Sequence, residues 1–287
     1  MADLKEIKTR IQSIKSTQKI TSAMMMVSSA KLLKAQRQFT KLAPYEKKLF
    51  ELLRDFLSGE EMPSTPYTKK REVKRIAIVA FSSSTGLVGR FNNNIAEKLQ
   101  EVVDNRKHLG KDNIVVYPVG SKIYKSALNM DVTIDDRYIK EIEQHPTYQT
   151  AETMIQQFMD LYEGGEIDRV ELLYHHFKSK GTQEITLDTL FPLELETEKS
   201  EENDNIYIFE PEKEILLSQL LPKVLKLKMY TTLIDSVTSE HAARMIAMQI
   251  ATDNADNLTD ELTIEYNKLR QQSITNELLD MASGMTE

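Results

Sequence analysis

Residues 4–56 read LKEIKTRIQSIKSTQKITSAMMMVSSAKLLKAQRQFTKLAPYEKKLFELLRDF, and their spacing decides the fold. One set of positions, seven apart, is Leu4, Ile11, Gln18, Met25, Leu32, Phe39, Glu46 and Leu53. Its companion set is Ile7, Ile14, Thr21, Ser28, Ala35, Leu42, Leu49 and Phe56. Both keep phase throughout, which is the pattern of a coiled-coil seam. A helix of this length would span roughly 80 Å at 1.5 Å per residue. The seam is apolar at its ends and small or polar in the middle, at Gln18, Thr21, Ser28 and Ala35. There the larger apolar residues Ile20, Met24 and Val27 fall off phase. Polar seam positions can fix register, and the off-phase residues suggest a contact besides the partner helix.

The far end of the chain has a matching segment. Leu220, Leu227 and Ile234 step by seven, and Leu258, Leu262 and Leu269 follow a four-then-seven spacing. Pro222 lacks a backbone N–H, so a kink or a restart of the helix is expected there. Two seamed helices at opposite ends of one chain pair most simply as an antiparallel coiled coil. Residues 1–57 carry net charge +7 and residues 211–287 carry −5, which favours pairing the two over self-pairing of either. The total of −7 therefore hides a middle at −9. Between Ile7 and Tyr45 stand eight basic residues (Lys8, Arg10, Lys15, Lys19, Lys31, Lys34, Arg37 and Lys41) and no acidic one. They call for an acidic partner, either the C-terminal helix or another protein. Nucleic acid is the weaker reading, because the basic stretch lacks interleaved aromatics and the whole chain is acidic.

Glycine and proline concentrate between about residues 58 and 210, giving three parts: a helix over 1–57, a mixed region over 58–210 and a second helix over 211–287. The middle reads as a Rossmann-like α/β domain. Strands are expected at Val73–Phe81, Ile114–Val119, Val170–Phe177, Glu184–Leu190 and Ile206–Phe209, and helices at Asn93–Lys107, from Ser121 and at Thr150–Tyr162. Residues 194–204 are charge-rich and read as a solvated loop.

Composition excludes much chemistry. No cysteine means no disulfide, thiolate metal site or thiol nucleophile. No apolar run approaches the roughly 18 residues of a membrane helix, and the charged start does not resemble a signal peptide. The turn Ser82–Phe91 stands where a nucleotide fold places its phosphate loop, but it fits neither the Walker A nor the Gly-x-Gly-x-x-Gly pattern. His175 and His176 adjoin on an expected strand, so they point to opposite faces and cannot share a metal. His108, His145 and His241 have no ligand partner four residues on. No catalytic, cofactor-binding or metal site is expected. A reading that stays open is a nucleotide- or metabolite-binding α/β protein with a coiled-coil dimerisation arm.

The residues flanking the seams add a resemblance. Lys5-Glu6-Ile7-Lys8 leads to Thr17-Gln18-Lys19-Ile20-Thr21-Ser22-Ala23-Met24, and Ser239-Glu240-His241-Ala242-Ala243-Arg244-Met245 leads to Ala251-Thr252-Asp253-Asn254-Ala255. The end reads Tyr266-Asn267-Lys268-Leu269-Arg270-Gln271, then Ile274-Thr275-Asn276-Glu277. Together with Gly86-Leu87-Val88-Gly89, these closely resemble the gamma subunit family of bacterial F-type ATP synthases over nearly the whole chain. The chain departs from that pattern at Met25, Ser84, Thr85, Arg90 and Met285. The resemblance implies a rotor in the central stalk that couples proton flow to ATP synthesis or hydrolysis on the beta subunits, with no catalytic group of its own. It implies as partners the hexameric head of alpha and beta subunits, the epsilon subunit and the c-subunit ring. It also implies a peripheral place on the cytoplasmic face of the plasma membrane, reached only through the complex. Lys19, Met24 and Lys31 are implied near an acidic beta-subunit loop, and Arg270, Gln271, Thr275 and Glu277 where the stalk meets the head.

Overall fold

The computed structural model describes residues 2–57, 65–68, 71–140, 146–193 and 213–284. Helix α1 (Ala2–Leu57) and helix α5 (Lys213–Gly284) enclose in sequence a five-stranded sheet and three shorter helices. By packing, the chain divides into one unit of Met1–Ala30 with Arg244–Glu287 and another of Lys31–Ala243. The expected strand at 206–209, the loop at 194–204 and His145 lie outside the described residues, as do the boundaries expected on either side of 58–210.

In the larger unit the strands are β1 (Ile76–Phe81), β2 (Ile114–Val119), β3 (Thr133–Ile134), β4 (Arg169–Ser179) and β5 (Thr182–Phe191). They run in the order β3-β2-β1-β4-β5, all parallel except the β4–β5 hairpin. The two-residue β3 is too short to leave a periodic signal, and the sequence reading missed it. β1 lies at the centre and is buried over its whole length, as a strand covered on both faces must be. Its pleat separates two cores. Ile76, Ile78 and Ala80 meet α2 (Phe91–Asp104) and α3 (Ser121–Ala127) through Ile95, Leu99 and Ile123. Ala77, Val79 and Phe81 meet α4 (Tyr148–Glu163), α1 and α5 through Phe158, Leu53 and Leu225. α4 starts where Thr147 accepts a hydrogen bond from Thr150 N, a side-chain N-cap.

Here α1 and α5 run antiparallel. Lys31 and Ala35 of α1 line a small cavity with Val237 and His241 of α5, and further along α1 Glu46 Oε1 lies 4.0 Å from Lys228 Nζ. α5 continues through Pro222, so the helix does not restart there. A proline costs a helix interior about 3 kcal/mol. Burial of Leu217, Leu221, Val224 and Leu225 around it outweighs that, at about 1.5–3 kcal/mol each. From Thr231 to Glu240 every α5 residue is buried, since this stretch packs against both α1 and the sheet.

In the smaller unit the α1 heptad holds. Thr21 and Ser28 are buried, with Leu4, Ile7, Ile11, Ile14, Gln18 and Met25 half-buried. The α5 seam is Met248, Thr252, Ala255, Thr259, Leu262, Tyr266, Leu269 and Ser273, alternating steps of four and three. Leu262 and Leu269 lie on it as expected. Leu258 lies one position off it and is exposed.

Candidate functional site

The seam is joined by polar contacts at its small-residue middle. Thr21 Oγ1 and Thr252 Oγ1 share a hydrogen bond of 2.8 Å, and Thr252 and Ser28 each donate to a carbonyl of their own helix turn. These hydroxyls are satisfied without large side chains. What the seam leaves out is apolar: Ile20 is 61% exposed, Val27 57% and Met26 63%, while Met24 is half-buried. Ile20, Met24 and Val27 follow the i, i+4, i+7 spacing of one helix face, and Lys31 and Lys34 continue it along α1. α1 thus carries a second stripe, apolar and then basic, away from the seam.

All eight basic residues between Ile7 and Tyr45 are exposed, and among the described residues none forms an ion pair. Of the two acidic partners that the sequence left open, α5 therefore gives these residues no ion pair among the described residues. The α1–α5 charge contact has the opposite polarity: Glu46 lies on α1, Lys228 on α5, and Lys228 Nζ is closer to Asp188 at 2.8 Å. Burial raises the Glu46 carboxyl above its ordinary pKa, and Lys228 works against that rise. The basic residues of α1 point outward because the seam positions are uncharged over that stretch.

Lys19 and Lys31 are exposed on α1, with Met24 at the stripe's inner margin. Arg270, Gln271, Thr275 and Glu277 are exposed on α5, where Thr275 Oγ1 donates to Gln271 O at 2.9 Å and Ser273 Oγ donates to Glu277 Oε1 at 3.4 Å. Their hydrogen bonds stay within their own helix, and no contact joins the α5 set to Lys19 or Met24. The sequence reading missed a run of exposed apolar residues on α5: Ile264, Ile274, Leu278, Leu279 and Met281. The same off-phase test that singled out Ile20 and Val27 finds them.

At the C-terminal ends of the strands, groups of the chain bond to one another. Open α/β sheets bind ligands beyond the C-terminal ends of their strands, where strand order reverses, here between β1 and β4. Ser82 Oγ accepts from Ile123 N, Ser83 N donates to Asn92 Oδ1, and Phe91 stacks on His175 with ring centres 3.9 Å apart. Leu87 and Gly89 take positive φ in the turn. These groups shape a structural turn, and the nucleotide-site reading finds no support in them. His175 and His176 do point apart: His175 is buried, while His176 Nδ1 lies 2.6 Å from Asp235 Oδ2.

Comparison with known proteins decides the family. The chain matches the family described as ATP synthase over residues 3–286. It is 49% identical to an ATP synthase gamma chain of Bacteroides thetaiotaomicron and 47% identical to one of Phocaeicola vulgatus, covering 99% of both chains each time. The chain belongs to the ATP synthase gamma-chain family. A solved rotor of the Euglena gracilis mitochondrial ATP synthase shares its fold, with a TM-score of 0.64 at 17% identity, over 95% of this chain and 99% of that one. As a gamma-chain family member the protein is a subunit of a membrane-associated complex. Among its described residues no helix is long and apolar enough to cross a membrane.

This gamma-chain fold carries a pH-sensitive core position. Burial pushes the His175 imidazole down to about 4 from 6.5. The fold thus favours neutral His175, and that stability is complete above pH 6.5 and lost as pH falls toward 4. At 1.4 kcal/mol per unit, about 2 kcal/mol is gone by pH 5. His175→Phe keeps the stack on Phe91 without a titrating group. Its melting temperature is expected to fall less than the wild type's between pH 7.5 and 5; equal falls would refute the assignment.

Proposed function

We propose that the chain works as the non-catalytic rotor in the central stalk of an F-type ATP synthase, coupling proton flow through the membrane sector to ATP synthesis or hydrolysis on the beta subunits. The observation that supports this most is the α1 surface: eight exposed cations, without ion pairs among the described residues, beside an exposed apolar stripe. A stalk that turns past several partners needs a stiff seam inside and a contact surface outside, and this sequence separates the two by heptad phase. In this reading the helices over 1–57 and 211–287 form the stalk and 58–210 the α/β domain. Lys19, Met24 and Lys31 face an acidic beta-subunit loop, while Arg270, Gln271, Thr275 and Glu277 meet the alpha–beta head. The epsilon subunit and the c-subunit ring are further partners. The membrane contact is peripheral, on the cytoplasmic face and through the complex.

The direct experiment is co-purification: alpha, beta and epsilon subunits are expected to accompany the tagged chain, and their consistent absence would refute the reading. A sharper one is Arg270→Ala with Gln271→Ala. Both side chains are exposed, so the free chain's stability should change by less than about 0.5 kcal/mol. Recovery of the complex should fall severalfold. A melt of the free chain that drops as far as the yield would count against a contact role.

A further inference from the structure

The β1–β4 ladder ends at Leu173, but β4 runs on to Ser179 with β5 on its other side. Beyond Leu173, α5 takes the place that β1 has left. Ser239 Oγ donates to His175 O at 2.9 Å, and Phe177 N donates to Asp235 Oδ1 at 2.8 Å. In a parallel ladder one residue of a neighbouring strand gives its N–H to one carbonyl and accepts an N–H from two residues further on. Ser239 and Asp235, four apart on one face of α5, supply that donor and that acceptor from side chains. Asp235 also accepts at His176 Nδ1, and both Asp235 and Ser239 are buried. A carboxylate is costly to bury without such partners. The surrounding apolar contacts, Leu233 and Val237 among them, are non-directional, whereas these bonds fix where α5 lies along and around the strand.

We propose that Asp235 and Ser239 are positioning residues that lock α5 to the sheet against twisting, so that load between the α/β domain and the stalk helix passes through this joint. This rests on the rotor reading above. The test uses the assembled complex in vesicles, comparing ATP hydrolysis with ATP-driven proton uptake, and single-molecule torsional stiffness with a bead on the α/β domain. With Asp235→Ala and Ser239→Ala combined, stiffness is expected to fall at least about twofold. Proton uptake per ATP should fall by a similar factor against a proton gradient, with hydrolysis unchanged at zero load. Asp235→Asn, which keeps an acceptor for Phe177 N, should recover most of both. Wild-type stiffness and coupling in the double variant would overturn the proposal, as would a loss matched by an equal fall in hydrolysis and melting temperature. If the double variant does not assemble, Ser239→Ala alone decides, its stiffness falling or not. A wild-type complex that shows no ATP-driven rotation would instead sink the rotor reading.

Discussion

Gly120→Ala is expected to unfold the α/β domain or lower its melting temperature by about 10 °C or more. Gly120 follows β2 with φ +111°, a backbone region essentially reserved for glycine. A Cβ there would stand 2.3 Å from Ser82 O and 2.8 Å from Ser82 Oγ. Neither oxygen can retreat: Ser82 N donates to Val119 O, and Ser82 Oγ holds Ile123 N at the start of α3. Gly120 N is itself bonded to Ile139 O. Backbone strain of about 1–3 kcal/mol adds to a contact that only movement of β1 against β2 relieves. The sum should exceed about 4 kcal/mol, out of the roughly 5–15 that hold a domain folded. Gly110→Ala is the control. It has φ +86° but nothing within 4 Å of the added Cβ, so only the strain applies. Thermal melts of the two full chains should differ widely, and equal effects would show that the close approach to Ser82 is not what matters.

Met24→Lys is expected to lower proton-driven ATP synthesis by the reconstituted complex about tenfold while leaving the free chain's melt unchanged. Met24 lies between exposed Ile20 and Val27 on the outer stripe, and Lys31 and Lys34 follow on the same spacing. An ammonium there extends the basic band against the acidic loop proposed for beta. At a partly desolvated interface a close ion pair is worth up to about 4 kcal/mol, and a net gain near 1.4 kcal/mol slows departure from one rotor angle tenfold. On that reading the substitution would strengthen a contact that must be broken on every turn. Unchanged synthesis would remove Met24 from the interface.

The helices and most of the sheet were legible because they are repetitive. The heptad from Leu4 onward was readable even through Thr21 and Ser28, since phase rather than hydrophobicity marks the seam. Charge was less informative. Net charges of opposite sign favoured pairing of α1 with α5, yet they did not say which side chains meet: the basic residues of α1 sit off the seam and face solvent. Leu258 misled because a leucine one position off the seam looks like one on it. Asp235 and Ser239 left no signal at all, because their partners are backbone groups of a strand about sixty residues earlier and no local pattern encodes where β1 stops short of β4. The residues proposed for the interface came from the resemblance, and spacing alone would not have chosen Arg270 over its neighbours.

The row of uncompensated cations on α1 also sets how this subunit behaves before it meets its complex. Apart from its partners it presents a short polycation, and polyanions bind such surfaces without sequence preference by releasing counterions. Nucleic acid from a lysate is therefore expected to cling to the free chain in dilute buffer and to leave as salt rises. On the proposed reading assembly removes that hazard, since the groups that invite non-specific capture are the ones a correct partner would cover.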